Sequence, residues 1–277
     1  MSSVPAVEAQ VSELRQIAKE IRRKSLEIIH RAGSGHPGGS LSAADILTAL
    51  YFGVMRYDAK NPKDPSRDRF VMSKGHATGV FYSVLSRAGY IPDADLADYR
   101  KINSKFNLSG HPHPKTPGVE IATGSLGQGL SVAHGIALGA RLSDSPYNVY
   151  VLMGDGELQE GQVWEAAMSA SKFNSSNLIA IVDFNKVAQD NITKDLKDLE
   201  PLEDKWRSFG WDVHRIDGHD MDQVYKALTL PLHESKPRVI IADTIKGKGV
   251  SFMEGQTSWH GVAPSDEDYE KALKELE

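Results

Sequence analysis

The sequence predicts one α/β domain: a doubly wound, mostly parallel sheet with helices on both faces. Three observations carry this. Four nearly continuous apolar runs, "VYVLM", "LIAIVDF", "WDVHRID" and "RVIIADTI", alternate with helical stretches in the second half of the chain. Strands of that kind are covered on both faces, and strand–helix alternation builds parallel sheets through right-handed crossovers. The 277 residues are 40% apolar and 25% charged, enough for a sizeable core. No tandem repeat or boundary splits the chain.

Residues 1–8 read as a tail, and 9–277 as the domain. "VSELRQIAKEIRRKSLEIIHRA" has apolar residues at helical spacing, and "GSGHPGGS" breaks it. "LSAADILTALYFGVM" reads as a second helix capped by Ser40 or Ser42. "FVMSKGH" is a short buried strand ending in a glycine turn. "ATGVFYSVLSRAG" and "DADLADYRKI" are helical. "NLSGHPHPKTPGVEIATGSLGQG" is a long loop, and a loop of that length inside a compact domain is usually functional. "LSVAHGIALGARL" is a helix rich in small residues, suited to close packing on a sheet. The later helices are "QVWEAAMSASKF", "LEDKWRSF", "MDQVYKALTL" and the charged "DEDYEKALKELE".

A net charge of −5 argues against a general nucleic-acid or membrane-surface binder. No apolar stretch is long enough to span a membrane, and the first residues lack the pattern of a signal peptide. With no cysteine, disulfides, zinc–thiolate sites and cysteine catalysis are excluded. The cytoplasm is the expected compartment.

In such sheets ligands sit beyond the carboxyl ends of the strands. His76, Asp155, Asn185 and Lys246 each follow a strand, so parallel strands would bring them to one edge. Thirty positions, one strand–helix–strand step, separate Asp155 from Asn185. One carboxylate, one amide oxygen and a nearby carbonyl suit a hard cation such as Mg²⁺ or Ca²⁺, with the remaining ligands from a phosphate. Glycines flank Asp155 in "GDG", which lets backbone approach that phosphate, and the helix expected to follow would offer free N–H groups. The competing reading is an ordinary strand-to-helix turn.

"GDG" followed thirty positions later by Asn resembles the metal–diphosphate motif of thiamine diphosphate enzymes. "SGHPGGSLSAADIL", "RDRFVMSKGH", "GHPHPKTPGVEIATGSLGQG", "GDGELQEGQVWEAAMSA" and "SWHGVAPSDE" all resemble transketolase, in that order, over nearly the whole chain. More specifically, the chain resembles the N-terminal, diphosphate-binding subunit of a split transketolase. That resemblance implies the thiamine diphosphate-binding fold, with thiamine diphosphate and Mg²⁺ (or Ca²⁺) as cofactors. The implied metal ligands are Asp155, Asn185 and the carbonyl of Val187. Gly156 matches a backbone contact to the diphosphate, and Gly124 and Leu126 match the segment at the aminopyrimidine. Lys246 matches a residue near the diphosphate in some members. His36, His76, His111 and His260 match the active-site histidines, His260 also near the cofactor. Glu160 and Glu165 match acidic residues linking two active sites across a subunit interface.

The implied activity is transfer of a two-carbon ketol unit from a ketose phosphate to an aldose phosphate through a dihydroxyethyl-thiamine diphosphate intermediate, as in the pentose phosphate pathway. Imidazole suits the proton movements because it titrates near neutrality. The implied partner is a separate C-terminal, pyrimidine-binding subunit in an α₂β₂ assembly, since in the family the Glu that protonates the aminopyrimidine comes from that second module. Alternatives are a subunit serving a non-standard acceptor in a specialised pathway, the α chain of a 2-oxo acid dehydrogenase, and a non-catalytic partner-binding homologue.

The other histidines are weighed as structural. His30 and His134 lie on helices, and His214 and His233 read as surface or packing residues. His113, in "HPH", is either a chelating partner of His111 or part of a proline turn. His219, in "DGHD", follows a strand and faces the site only in the less favoured reading. The stretch "NKVAQDN" departs from the family, where a bulkier run ends in Asp-Gly. Asn191, standing for that glycine, is expected in the left-handed conformation. Ala188 puts substrate identity in question more than cofactor binding.

Overall fold

The computed structural model describes residues 4–143 and 147–277. Five strands form one wholly parallel sheet: β1 (Arg69–Met72), β2 (Val149–Gly154), β3 (Leu178–Phe184), β4 (Asp212–Asp217) and β5 (Arg238–Asp243), in the order β1-β2-β3-β5-β4. The doubly wound α/β expectation holds. Alternate strand residues enter opposite cores. Phe70, Tyr150, Leu152, Ile179, Ile181 and Ile240 join one apolar cluster, while Val71, Val149, Val151, Ala180, Val182 and Ile241 join the other. A strand buried on both faces needs apolar residues at every position, which is why these runs do not alternate.

One face is covered by α1 (Val4–Ala32), α3 (Ala44–Ala49), α4 (Thr78–Arg87) and α9 (Met221–Thr229). α1 buries Val11, Leu14, Ile17, Ala18, Ile21, Ile28 and Ile29 along one stripe, and Gly33, at φ +60°, ends it. The other face carries α5 (Gly129–Leu142), α6 (Gly161–Lys172) and α8 (Leu202–Ser208). Buried Ala133, Ala137 and Ala140 let α5 sit close to β2. The C-terminal α10 (Asp266–Glu275) is capped by Ser265, whose hydroxyl accepts the Asp268 N–H at 3.1 Å, and packs on α1.

Four local expectations are corrected. α1 starts at Val4, so part of the expected 1–8 tail is helical; residues 1–3 lie outside the described residues. The second helix starts earlier, as α2 (Pro37–Ser42), and continues through α3 and a π turn over Leu50–Val54. Pro37 can open a helix because its missing N–H is not needed there; Ser40 and Ser42 therefore lie inside it and cap nothing. A 3-10 turn, Gly156–Gln159, follows Asp155, and α6 begins only at Gly161. Asn191 does not take the left-handed conformation; Lys186 does, at φ +65°. The turn after β3 closes through a Val187–Ile192 bridge and the short α7 (Thr193–Leu196).

Candidate active site

β1, β2, β3 and β5 all run parallel, so His76, Asp155, Asn185 and Lys246 emerge at one sheet edge. They line a pocket of about 400 Å³ together with His36, His111, Gly124, Leu126, Gly156, Val187 and His260. Every catalytic, cofactor-binding and metal-ligating candidate from the sequence is therefore in one cavity.

Asp155 is buried and fully engaged. Its Oδ1 accepts the Gly156 N–H at 2.9 Å, and its Oδ2 accepts the Lys186 N–H at 2.6 Å and the Thr193 hydroxyl at 3.0 Å. Burial, and then the nearby Asp183 carboxylate, push its pKa up despite these donors. The Gly156 N–H, expected to be free for an anion, is thus held by Asp155. The backbone is nonetheless open there: a Cβ on Gly154 or Gly156 would meet nothing closer than 3.8 Å and would only narrow the cavity.

The Lys246 ammonium donates to the carbonyls of Val187 at 3.2 Å and Ala188 at 2.8 Å. The carbonyl expected to face a metal already faces a cation. Asn185 accepts the Val187 N–H at 3.2 Å and fixes the same turn. Lys246 also donates to His260 Nδ1 at 2.9 Å, so His260 carries its proton on Nε2. Burial, then the Lys74 charge, lower the Lys246 pKa to about 8, with Asp155 and Asp183 acting the other way.

His36, His76 and His260 form a ring cluster with centroids 5.1–5.4 Å apart. Burial, with Arg100 and His111 adding to it, lowers His36 to about 4; burial and then Lys246 lower His260 to about 4. Burial and then Lys74 bring His76 well below its ordinary value. All three are neutral imidazoles at pH 7. The buried Nδ1 of His36 has no hydrogen-bond partner. His111 is exposed, and its ring lies against Gly124, where φ is +137° and a Cβ would come within 2.5 Å of it. Only glycine fits that position.

Sequence reasoning missed the support beneath these groups. Asp183, fully buried in β3, pairs with the Lys74 ammonium and accepts from the hydroxyls of Ser42 at 2.6 Å and Thr244. Burial alone would raise its pKa, but Lys74 more than offsets this and holds it below the usual carboxylate range. Burying an ion pair costs several kcal/mol per ion before attraction is counted. Of the two, Lys74 lines the pocket, where it also donates to the Gly39 carbonyl at 3.0 Å, and Asp183 is wholly buried. The signal was one charged residue inside "LIAIVDF". Glu157, also buried, pairs with Ser73 and accepts the Gly127 N–H at 3.0 Å and the Gly154 N–H at 3.1 Å, tying "TGSLGQG" to "GDG".

The remaining histidines are accounted for locally. His30 stacks on Tyr269 and bonds Asp266, His134 bonds Ser175, His214 lies beside Asp212, and His113 and His233 accept the Lys115 and Ser235 N–H groups in turns. His219 lies outside the pocket lining. Glu160 and Glu165 are exposed. Among the described residues no three His, Asp or Glu side chains cluster as a metal site by themselves.

Residues 14–276 match the family model described as transketolase, thiamine diphosphate binding domain. The chain belongs to the transketolase family. It is 46% identical over 266 residues to the A subunit of the apulose-4-phosphate transketolase of Actinobacillus succinogenes, covering 95% of this chain and 96% of that one. It is 44% identical to the 6-deoxy-6-sulfo-D-fructose transketolase subunit SqwG of a Clostridium species, covering 97% and 98%. Among solved structures, transketolase from Campylobacter jejuni superposes with a TM-score of 0.89 at 36% identity, covering 95% of this chain and 43% of that one. The chain thus spans about two fifths of the length of that single-chain transketolase and nearly all of the two subunits. Its chemical class is transketolase-type ketol transfer, and its domain is the one that binds thiamine diphosphate; the 2-oxo acid dehydrogenase reading is set aside.

Proposed function

We propose that this chain is the diphosphate-holding half of a two-chain transketolase acting on sugar phosphates. The carrying observation is the meeting of Asp155, Asn185 and the cation-facing Val187 carbonyl beside a cluster of neutral histidines. These residues fit thiamine diphosphate with a divalent cation. Asp155, Asn185 and the Val187 carbonyl would hold Mg²⁺ (or Ca²⁺), Lys246 and the open Gly156 backbone would serve the diphosphate, and Gly124 and Leu126 would line the place of the aminopyrimidine. When bound, the cofactor supplies the carbanion chemistry of carbon–carbon bond cleavage and formation.

The chain's own residues do the rest. His260 presents a proton on Nε2, its Nδ1 being held by Lys246. His36 and His111 hold donor hydroxyls and carbonyl, the first from the pocket wall and the second from its exposed rim; His76 sits nearer the cofactor. Neutral imidazoles can accept or donate a proton without first losing one. Lys74, paired with Asp183, holds the Gly39 carbonyl of the pocket lining in place.

A separate C-terminal subunit would complete the site, in an α₂β₂ assembly. Relatives of this length are named as the A subunits of transketolases, and Glu160 and Glu165 stand exposed. No described helix could cross a membrane, and the proposed compartment is the cytoplasm. For the pathway, two relatives are named for apulose 4-phosphate and 6-deoxy-6-sulfo-D-fructose. Together with Ala188 in the pocket lining, these names favour a specialised acceptor over the central pentose phosphate role. The test is an assay of this chain with its partner against a panel of ketose and aldose phosphates. Turnover with a branched or sulfonated sugar well above that with ordinary pentose phosphates supports the specialised reading, and the reverse ranking supports the central one.

Lys246 adds a pH prediction. Its pKa is lowered to about 8, so the charge that attracts diphosphate is present below that pH and lost as pH rises through it. Cofactor affinity should fall between about pH 7 and pH 9 by up to roughly tenfold. Lys246→Met should flatten the fall, read by calorimetry across that range. An unchanged pH dependence in Lys246→Met would remove Lys246 from the diphosphate site.

A further inference from the structure

Three consecutive residues at the end of β5 are tied to three different elements. Thr244 bonds Asp183 on β3, and Lys246 bonds the Val187 and Ala188 carbonyls and His260. Between them, the Ile245 N–H donates to His219 Nε2 at 2.8 Å. A ring nitrogen that accepts from an amide carries no proton, so His219 is protonated on Nδ1, which donates to Asp45 Oδ2 at 2.8 Å. Asp45, on α3, is gripped from the other side by the Arg22 guanidinium of α1, with Nη1 2.9 Å from Oδ1. Arg22 and Asp45 are buried, and the His219 side chain is only 11% exposed. The His219 backbone is fixed too: its own N–H donates to Asp217 Oδ1 at 2.9 Å, and the Gly218 N–H donates to the Asp243 carbonyl at 2.8 Å.

We propose that His219 is a positioning residue that holds the β5 loop, through the Ile245 N–H, so that Lys246 stands over the Val187 and Ala188 carbonyls. The link runs from α1 and α3, which cover one face of the sheet, to the loop that carries Lys246, and Arg22, Asp45 and His219 themselves lie outside the pocket lining. Only a side chain with a donor at the Nδ1 position and an acceptor at the Nε2 position joins the Asp45–Arg22 pair to the loop. The inference rests on reading the pocket as a diphosphate site.

Two isosteres separate the two ends of the ring. Gln places its carbonyl oxygen near the Nε2 position and keeps the acceptor for Ile245. Asn places its amide near Nδ1 and keeps only the donor to Asp45. In the assembled two-chain enzyme, with Mg²⁺ saturating, His219→Asn and His219→Leu should each weaken thiamine diphosphate binding by about tenfold, as loss of a supporting contact behind a ligand does. His219→Gln should stay within about threefold of the parent. If His219 merely satisfied the buried Asp45 charge, Asn would be tolerated and Gln would not, and that order overturns the proposal. In a Lys246→Met background, His219→Asn should add less than roughly twofold, because both act through one group. A full further tenfold loss would show that the route bypasses Lys246 and would overturn the proposal. An unchanged affinity in Lys246→Met alone would instead remove the diphosphate reading of the pocket, and the proposal with it. Imidazole ¹⁵N spectra of the unsubstituted chain give a check that needs neither variant nor ligand: a neutral Nδ1–H ring at His219 is expected, and an Nε2–H ring contradicts the Ile245 bond.

Discussion

Asp155→Ala is expected to abolish measurable binding of thiamine diphosphate with Mg²⁺ in the assembled enzyme, a loss of roughly two to three orders of magnitude. Two effects add. Asp155 supplies the one carboxylate among the three proposed ligands, so without it the cation's charge is met only by neutral oxygens and the phosphates. Asp155 also accepts from the Gly156 and Lys186 N–H groups and the Thr193 hydroxyl, and alanine leaves all three donors without a partner. Asn185→Ala should weaken the same binding by less, because a neutral amide oxygen holds a dication less strongly. Calorimetry reads both, and Asp155→Asn keeps most of the local hydrogen bonds while removing the charge. If Asp155→Asn binds like the parent, the carboxylate is not a ligand and the metal assignment fails.

The second large effect is kinetic. His36→Ala and His111→Ala should each lower kcat/KM by about a hundredfold or more while cofactor affinity holds. The separation follows from place: neither ring bonds Asp155, Asn185, Val187 or Lys246. His36 is neutral, with its pKa lowered to about 4 by burial and the neighbouring cations. Its contribution should therefore persist unchanged from about pH 5 to pH 8 and fail only as pH falls through about 4. Near-parent kinetics in both variants would mean that substrate sits elsewhere.

The sheet was legible because its strands are buried on both faces and so carry unbroken apolar runs. The site edge was legible because polar residues terminate those runs. What escaped was set by contacts distant in sequence. Lys74 and Asp183 lie 109 positions apart, in two separate runs, "FVMSKGH" and "LIAIVDF", and nothing in either run names the other as its partner. Arg22, Asp45 and His219 come together only once α1 and α3 pack against the sheet. The helix start was misplaced because "GHPGG" reads as a breaker, whereas Pro37 opens α2 and Gly38 and Gly39 are buried in it. The left-handed residue fell on Lys186, not Asn191, because its N–H is held by Asp155 and its carbonyl accepts from the Thr193 N–H at 2.9 Å.

The central claim is that this chain holds the diphosphate half of an active site completed by a second chain. The most direct measurement is ketol transfer from a ketose phosphate to an aldose phosphate, with thiamine diphosphate and Mg²⁺ saturating. It is made first for this chain by itself and then with its partner titrated in. The expected result is no turnover without the partner and activity that rises with each addition to a plateau at one partner per chain. Full turnover by this chain without any partner would contradict it.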